Sequence, residues 1–113
     1  MIPVPGTHLQ TVIANGQTKS AVVDLAGGRV CAIGFPSAMT GSTMTFEAGT
    51  DPNNLSTFKE VVDEAGAAYD ITITANKVVA VDTSAHALAA VRFIRLVSGT
   101  SEGAERTIDI FTK

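Results

Sequence analysis

The chain predicts an all-β domain, an antiparallel β-sandwich or jelly roll of about nine short strands with at most one short helical turn. Three observations lead there. Apolar and polar residues alternate with a period of two in several short segments. Turn-forming Gly, Asn, Asp and Pro separate these segments at nearly regular spacing. Neither an internal repeat of solenoid length nor a low-complexity tract interrupts the pattern.

Residues 43–62 show the alternation best. Met44, Phe46 and Ala48 alternate with Thr43, Thr45 and Glu47, so one side of a strand faces a core and the other faces water. Residues 49–54 then supply Gly49, Asp51, Pro52, Asn53 and Asn54, which is turn chemistry. Residues 58–62 resume as a strand.

Residues 1–7 hold Pro3, Pro5 and Gly6. Prolines lack a donor and resist sheet interiors, so this is an extended arm, loose or laid on a neighbouring subunit. A single domain follows over residues 8–113. Residues 8–14 read as its first strand, and Asn15-Gly16 is the strongest short hairpin signal because both residues tolerate positive φ. Residues 18–25 form the next strand, favoured by Val22 and Val23, and Ala26-Gly27-Gly28 turns. Residues 29–35 are apolar almost throughout, as in a central strand covered on both sides, and Pro36 ends them.

After the turn at residues 63–66, Tyr69, Ile71 and Ile73 alternate with Asp70, Thr72 and Thr74. A turn at residues 75–77 leads to a short strand at 78–82. Residues 83–90 are alanine-rich and follow possible caps at Asp82, Thr83 and Ser84, so one or two helical turns are expected at this corner. Residues 91–98 form a central strand, with Val91, Phe93 and Val97 on one side and Ile94 and Leu96 on the other. Residues 99–105 read as a flexible polar loop. In residues 106–112, Ile108 and Ile110 oppose Thr107, Asp109 and Phe111.

Composition narrows the function. A chain of 113 residues with 45% hydrophobic content supports one core without metals or disulfides. A net charge of −3 and scattered Lys and Arg argue against a nucleic-acid partner. Cys31 is the sole cysteine, so no disulfide forms within the chain, and its apolar neighbours Val30, Ala32 and Ile33 predict a buried, inert thiol. The first residues lack the pattern of a secretory signal, and no run reaches the about 18 apolar residues of a membrane helix. Synthesis and assembly in a cytoplasm, with no membrane partner, are expected.

Candidate chemistry is sparse. His8 and His86 have no paired spacing or cysteine neighbour, so surface histidines are expected rather than metal ligands. Glu60, Asp63 and Glu64 flank a turn, where solvated acids belong, rather than a cleft. Asp51, Asn53 and Asn54 offer oxygens but lack the glycine and closing glutamate of a calcium loop, which favours a turn with Asx-type hydrogen bonds. Ser37, Ser42, Ser98 and Ser101 stand outside any nucleophile elbow. Gly27-Gly28 and the glycines of 99–103 precede no helix that could take a phosphate. Asn54-Leu55-Ser56 fits the glycosylation pattern by chance. Phe46 and Phe93 fall at core parity, leaving little aromatic surface for a sugar platform. Neither catalytic residues, a cofactor nor a metal is expected.

Several segments together carry a resemblance. Ile33-Gly34-Phe35-Pro36-Ser37-Ala38-Met39-Thr40 precedes Met44-Thr45-Phe46-Glu47-Ala48-Gly49-Thr50-Asp51. Thr57-Phe58-Lys59-Glu60-Val61, Val91-Arg92-Phe93-Ile94-Arg95-Leu96-Val97-Ser98-Gly99-Thr100 and Glu105-Arg106-Thr107-Ile108-Asp109-Ile110 follow. This order resembles the small jelly-roll cement, or decoration, proteins of tailed bacteriophage capsids, over most of the chain after about Gln10. The resemblance implies a structural virion protein that binds the outer surface of a phage head, with the major capsid protein and its own copies, as homodimer or homotrimer, for partners. It brings no catalytic residues. Under this reading the contact elements are the arm, with Ile2, Pro3, Val4 and Pro5, and the loop with Gly99, Thr100, Ser101 and Glu102. The rival reading is a carbohydrate- or receptor-binding β-sandwich module of a phage tail or baseplate.

Overall fold

A computed structural model describes residues 7–81, 88 and 90–113. Among these the chain forms nine strands in two antiparallel sheets: β1 (Thr7–Ile13), β2 (Val23–Asp24), β3 (Val30–Gly34), β4 (Thr43–Gly49), β5 (Lys59–Glu60), β6 (Asp70–Thr72), β7 (Val78–Ala80), β8 (Phe93–Ser98) and β9 (Arg106–Thr112). Thr7, expected in the arm, opens β1; the rest of the arm lies outside the described residues.

One sheet has the order β1-β9-β3-β7, and the other β2-β8-β4-β5, with β6 also paired to β4. The pairs nest: β1 with β9, β2 with β8, β3 with β7, and β4 with β5 and β6. Successive pairs fall alternately on the two sheets, as when one long hairpin is rolled up. That is jelly-roll topology. The bend of the hairpin is the Gly49–Phe58 region after β4, where residues 50–54 turn and Leu55–Thr57 adds a short 3-10 turn capped by the Asn54 side chain.

The period-two pattern builds the core. From the first sheet Ile13, Val30, Ile33, Ile108 and Ile110 point inward, and from the second Val23, Met44, Phe46, Ile71, Ile94 and Leu96 do. The two apolar faces interdigitate as in other aligned sandwiches. The Asn15-Gly16 turn forms as expected, with Gly16 at φ 81° and Gln17 N–H donating to the Ala14 carbonyl. Its far arm does not stay with β1. Ala21 N–H reaches the Val12 carbonyl, while Ser20 N–H reaches the Leu96 carbonyl in the other sheet, so this segment seams the two layers.

The structure corrects three expectations. Cys31 is exposed. The β3–β9 register shifts between Val30 and Ala32, so Cys31 is the extra residue of a β-bulge. Strict alternation would bury Val30 and expose Ile33; the bulge resets the phase so that both are buried. For the same reason β3 is covered on one side only, with Ala32 half-buried on the outer side. Phe93 lies with Arg95 and Val97 on the outer side of β8, because Ile94, Leu96 and Ser98 take the inner one. A 3-10 turn not expected from the sequence falls at Leu55–Thr57; the alanine-rich corner, with His86, lies mostly outside the described residues, and Leu88 within it is in 3-10 conformation.

Candidate interaction surface

Three loops meet at one end of the sandwich: residues 14–17 after β1, 37–42 before β4, and 99–105 between β8 and β9. Glu102 joins them. Its side chain is wholly buried, at 0% exposure. One carboxylate oxygen accepts Thr40 N–H at 2.8 Å and Arg106 Nε–H at 3.0 Å. The other accepts Gly41 N–H at 2.9 Å and the Ser98 hydroxyl at 2.7 Å. Its backbone ties the third loop: Glu102 N–H donates to the Gln17 carbonyl, and Gly16 N–H donates to the Glu102 carbonyl. Thr40 Oγ1 also accepts Gly103 N–H at 3.0 Å and Arg106 Nη2–H at 3.2 Å.

Burial alone would raise the Glu102 pKa. The Thr40 N–H, Ser98 hydroxyl, Gly41 N–H and Arg106 guanidinium outweigh it and hold the carboxyl at about 2. A carboxylate with four donors is a fully satisfied buried charge, the arrangement in which such a charge is tolerated. The site allows no extra bulk, since a Cβ on Gly41 would fall 2.1 Å from Ser98 Oγ.

The loop expected to make contacts is therefore fixed rather than flexible, and its residues divide. Gly99, Thr100 and Ser101 are exposed, whereas Glu102 faces inward and presents no side-chain surface. Asn15, Gln17 and Thr40 are exposed beside them. The result is a small polar platform, with exposed Glu105 at its margin, held from beneath. Ile2, Pro3, Val4 and Pro5 lie outside the described residues.

A second cluster sits on the outer side of the β4–β8 sheet. Glu47 bridges Lys19 at 2.8 Å and Arg95 at 2.6 Å. The Arg95 guanidinium lies 5.0 Å over the Phe58 ring, and that ring covers Gly49, where a Cβ would approach it to 2.5 Å. Burial works against the charge on Glu47, but Lys19 and Arg95 lower its pKa overall. Arg95 Nε is buried without a hydrogen-bond partner among the described residues. Phe58 is buried here, outside the main core, so this cluster pins the hairpin bend to the sheet.

The remaining candidates have structural surroundings. His8 Nε2–H donates to Asp109 Oδ1 at 2.8 Å, and the ring stacks on Phe111, on the outer side of the β1–β9 sheet. His8 and Gln10 hold the Asp109 pKa below its ordinary value. Asp63 Oδ1 accepts Ala65 and Ala67 N–H groups within its own turn, and Glu60 and Glu64 are exposed. Asp51 Oδ1 accepts Asn53 N–H and Asn54 Oδ1 accepts Ser56 N–H, the Asx-type turns expected there. Ser98 serves Glu102, donating its hydroxyl to the carboxylate. An open hollow of about 480 Å³ lies between the β2–β3 turn and the start of β8, lined by Gly27, Gly28, Val91 and Arg92 among others.

Sequence reasoning missed both Glu102 and Arg95 as organising residues. The partners Thr40 and Gly41 stand 62 and 61 residues before Glu102, and Glu47 stands 48 before Arg95. No local pattern encodes such a meeting.

No family model matches the chain, and no curated protein matches it. Among solved structures the chain is similar to the crystal structure of the SPBc2 prophage-derived protein YomS, at 8% identity and a TM-score of 0.56. The alignment covers 99% of this chain and 97% of that one, so the two share a fold from end to end.

Proposed function

We propose that the protein is a structural virion protein of a tailed phage, a cement protein that binds the outer surface of the head and stabilises it. The observation that carries this reading is the loop platform at one end of the jelly roll. Its exposed residues are mostly small and polar, with Glu105 as the exposed charge of the 99–105 loop, and the Glu102 carboxylate fixes them before any partner arrives. Pre-ordering spares the entropy of ordering a loop on binding, which matters for a small contact repeated many times over a shell. The full-length likeness in fold to a prophage-derived protein supports the phage context. In this reading the major capsid protein and further copies of the chain are the partners, and the role is non-catalytic.

The rival, a glycan- or receptor-binding module of a tail or baseplate, gains one point: Phe93 is on the outer side. Arg92, however, lies 5.1 Å over that ring, so it offers no bare face for a sugar. Purified protein added to heads lacking it should bind saturably with a fixed stoichiometry. Thr100→Arg with Ser101→Arg should abolish that binding without changing thermal unfolding. Heads that take up none, or density found on the tail by electron microscopy together with a glycan-array signal, would sink the proposal.

A further inference from the structure

The geometry points to a second copy of this chain pairing edge to edge along β1, joining two four-stranded sheets into one of eight. Strand β1 is the outermost strand of its sheet and pairs with β9 in unbroken register from Thr7↔Thr112 to Ile13↔Arg106. The Val12 carbonyl points away from β9, because it accepts Ala21 N–H. Alternate residues of a strand point their backbone groups the same way, so those of His8 and Gln10 also face the open edge. Among the described residues nothing pairs with them there.

Natural sheets blunt such an edge with proline, charge or a bulge. Residues 7–13 contain no proline, lysine, arginine, aspartate or glutamate, and the β1–β9 register has no bulge. The edge is also self-complementary. An antiparallel copy with the two-fold axis at Leu9 sets His8 against Gln10 of the partner subunit, and Gln10 against His8 of the partner subunit. Each pair exchanges two backbone hydrogen bonds, and Thr7 then opposes Thr11 across the joint with no like charges facing. Beyond Thr11 the edge is already taken, since Ala21 N–H occupies the Val12 carbonyl and Ser20 bridges Ile13, so the joint spans residues 7–11. Leu9, half-buried against the core, would gain cover from its own copy.

This pairing does not depend on head binding, and the test separates them. Sedimentation of the full chain should show a species of twice the 11.7 kDa chain mass. Exchange of the His8 and Gln10 amides should slow as protein concentration rises, while Leu9 stays protected throughout by β9. Gln10→Pro removes a donor that faces the edge, breaking no bond to β9. It should weaken dimerisation by about thirtyfold, the effect of two ordinary hydrogen bonds, with the same circular dichroism. Should that variant fail to fold, His8→Lys with Gln10→Lys places lysines face to face and should give a monomer. A wild-type monomer with fast-exchanging His8 and Gln10 amides overturns the inference even if it still binds heads. So does a dimer indifferent to both variants. Protection of those amides only when heads are added would assign the edge to a capsid strand instead.

Discussion

Replacing Glu102 by Gln should cost about 3 kcal/mol at neutral pH, and the loss should fade as the solution is acidified. The folded carboxyl has a pKa of about 2 against an ordinary value of 4.5. Each unit of difference is about 1.4 kcal/mol, which gives about 3 kcal/mol of native-state stability. Because the folded value is the lower one, this stability is complete above the unfolded pKa. It drains away as pH falls from about 5 to about 2. The carboxamide cannot imitate the carboxylate. Both oxygens accept two donors each, so whichever way the amide turns, its NH2 faces a pair of N–H or O–H groups. Against a domain stability of about 5–15 kcal/mol the effect is large enough to measure by urea unfolding. The gap between wild type and variant should be widest near pH 7 and close to nothing near pH 2. Glu47, Asp24 and Asp109 also have lowered values, so both proteins weaken in acid; only the difference isolates Glu102. A gap that stays constant across this range would refute the electrostatic account and leave a packing role alone.

Three further outcomes follow from local geometry. Gly49→Ala should destabilise by about 1–3 kcal/mol in chemical unfolding, because its Cβ would meet the Phe58 ring at 2.5 Å and push it from beneath Arg95. Ala26→Gly should stabilise by roughly 0.5 kcal/mol in the same assay. Ala26 holds φ 50° ahead of Gly27 at φ 87° in a two-residue turn closed by Gly28 N–H on the Leu25 carbonyl, a geometry that costs a residue with a Cβ. A thiol reagent should label one cysteine per native chain without denaturant, since Cys31 is exposed at the bulge of β3; labelling that needs unfolding would contradict the bulge.

What the sequence made legible was whatever is local. Alternation in residues 43–49, 69–73 and 106–112 identified β4, β6 and β9 with the correct residues inward, because a strand's period is set by its own backbone. Asn15-Gly16 and Ala26-Gly27 identified turns, because positive φ is a property of one or two residues. The same reasoning failed at Cys31, where one extra residue in β3 shifts the phase of everything after it, and a bulge depends on the partner strand. It failed again at Phe93, because β8 has apolar residues on both sides. What decided its facing was Lys19, Glu47 and Phe58 gathering around Arg95 from distant parts of the chain.

Glu102 is the instructive case. Gly-Thr-Ser-Glu-Gly has the composition of a mobile loop, and composition reports what a segment can do alone. The rolled hairpin brings the end of β8 beside the start of β4, with Ser98 opposite Met44. That topology delivers the N–H groups of Thr40 and Gly41 to a carboxylate that would otherwise be solvated. Jelly-roll pairing joins residues as far apart as Thr7 and Thr112, so these contacts arrive late in folding and depend on every inner pair being in register. The polar platform is thus a consequence of the whole topology rather than of the loop sequence. A substitution that slips the inner pair β4–β8 should loosen the loops before it exposes the core.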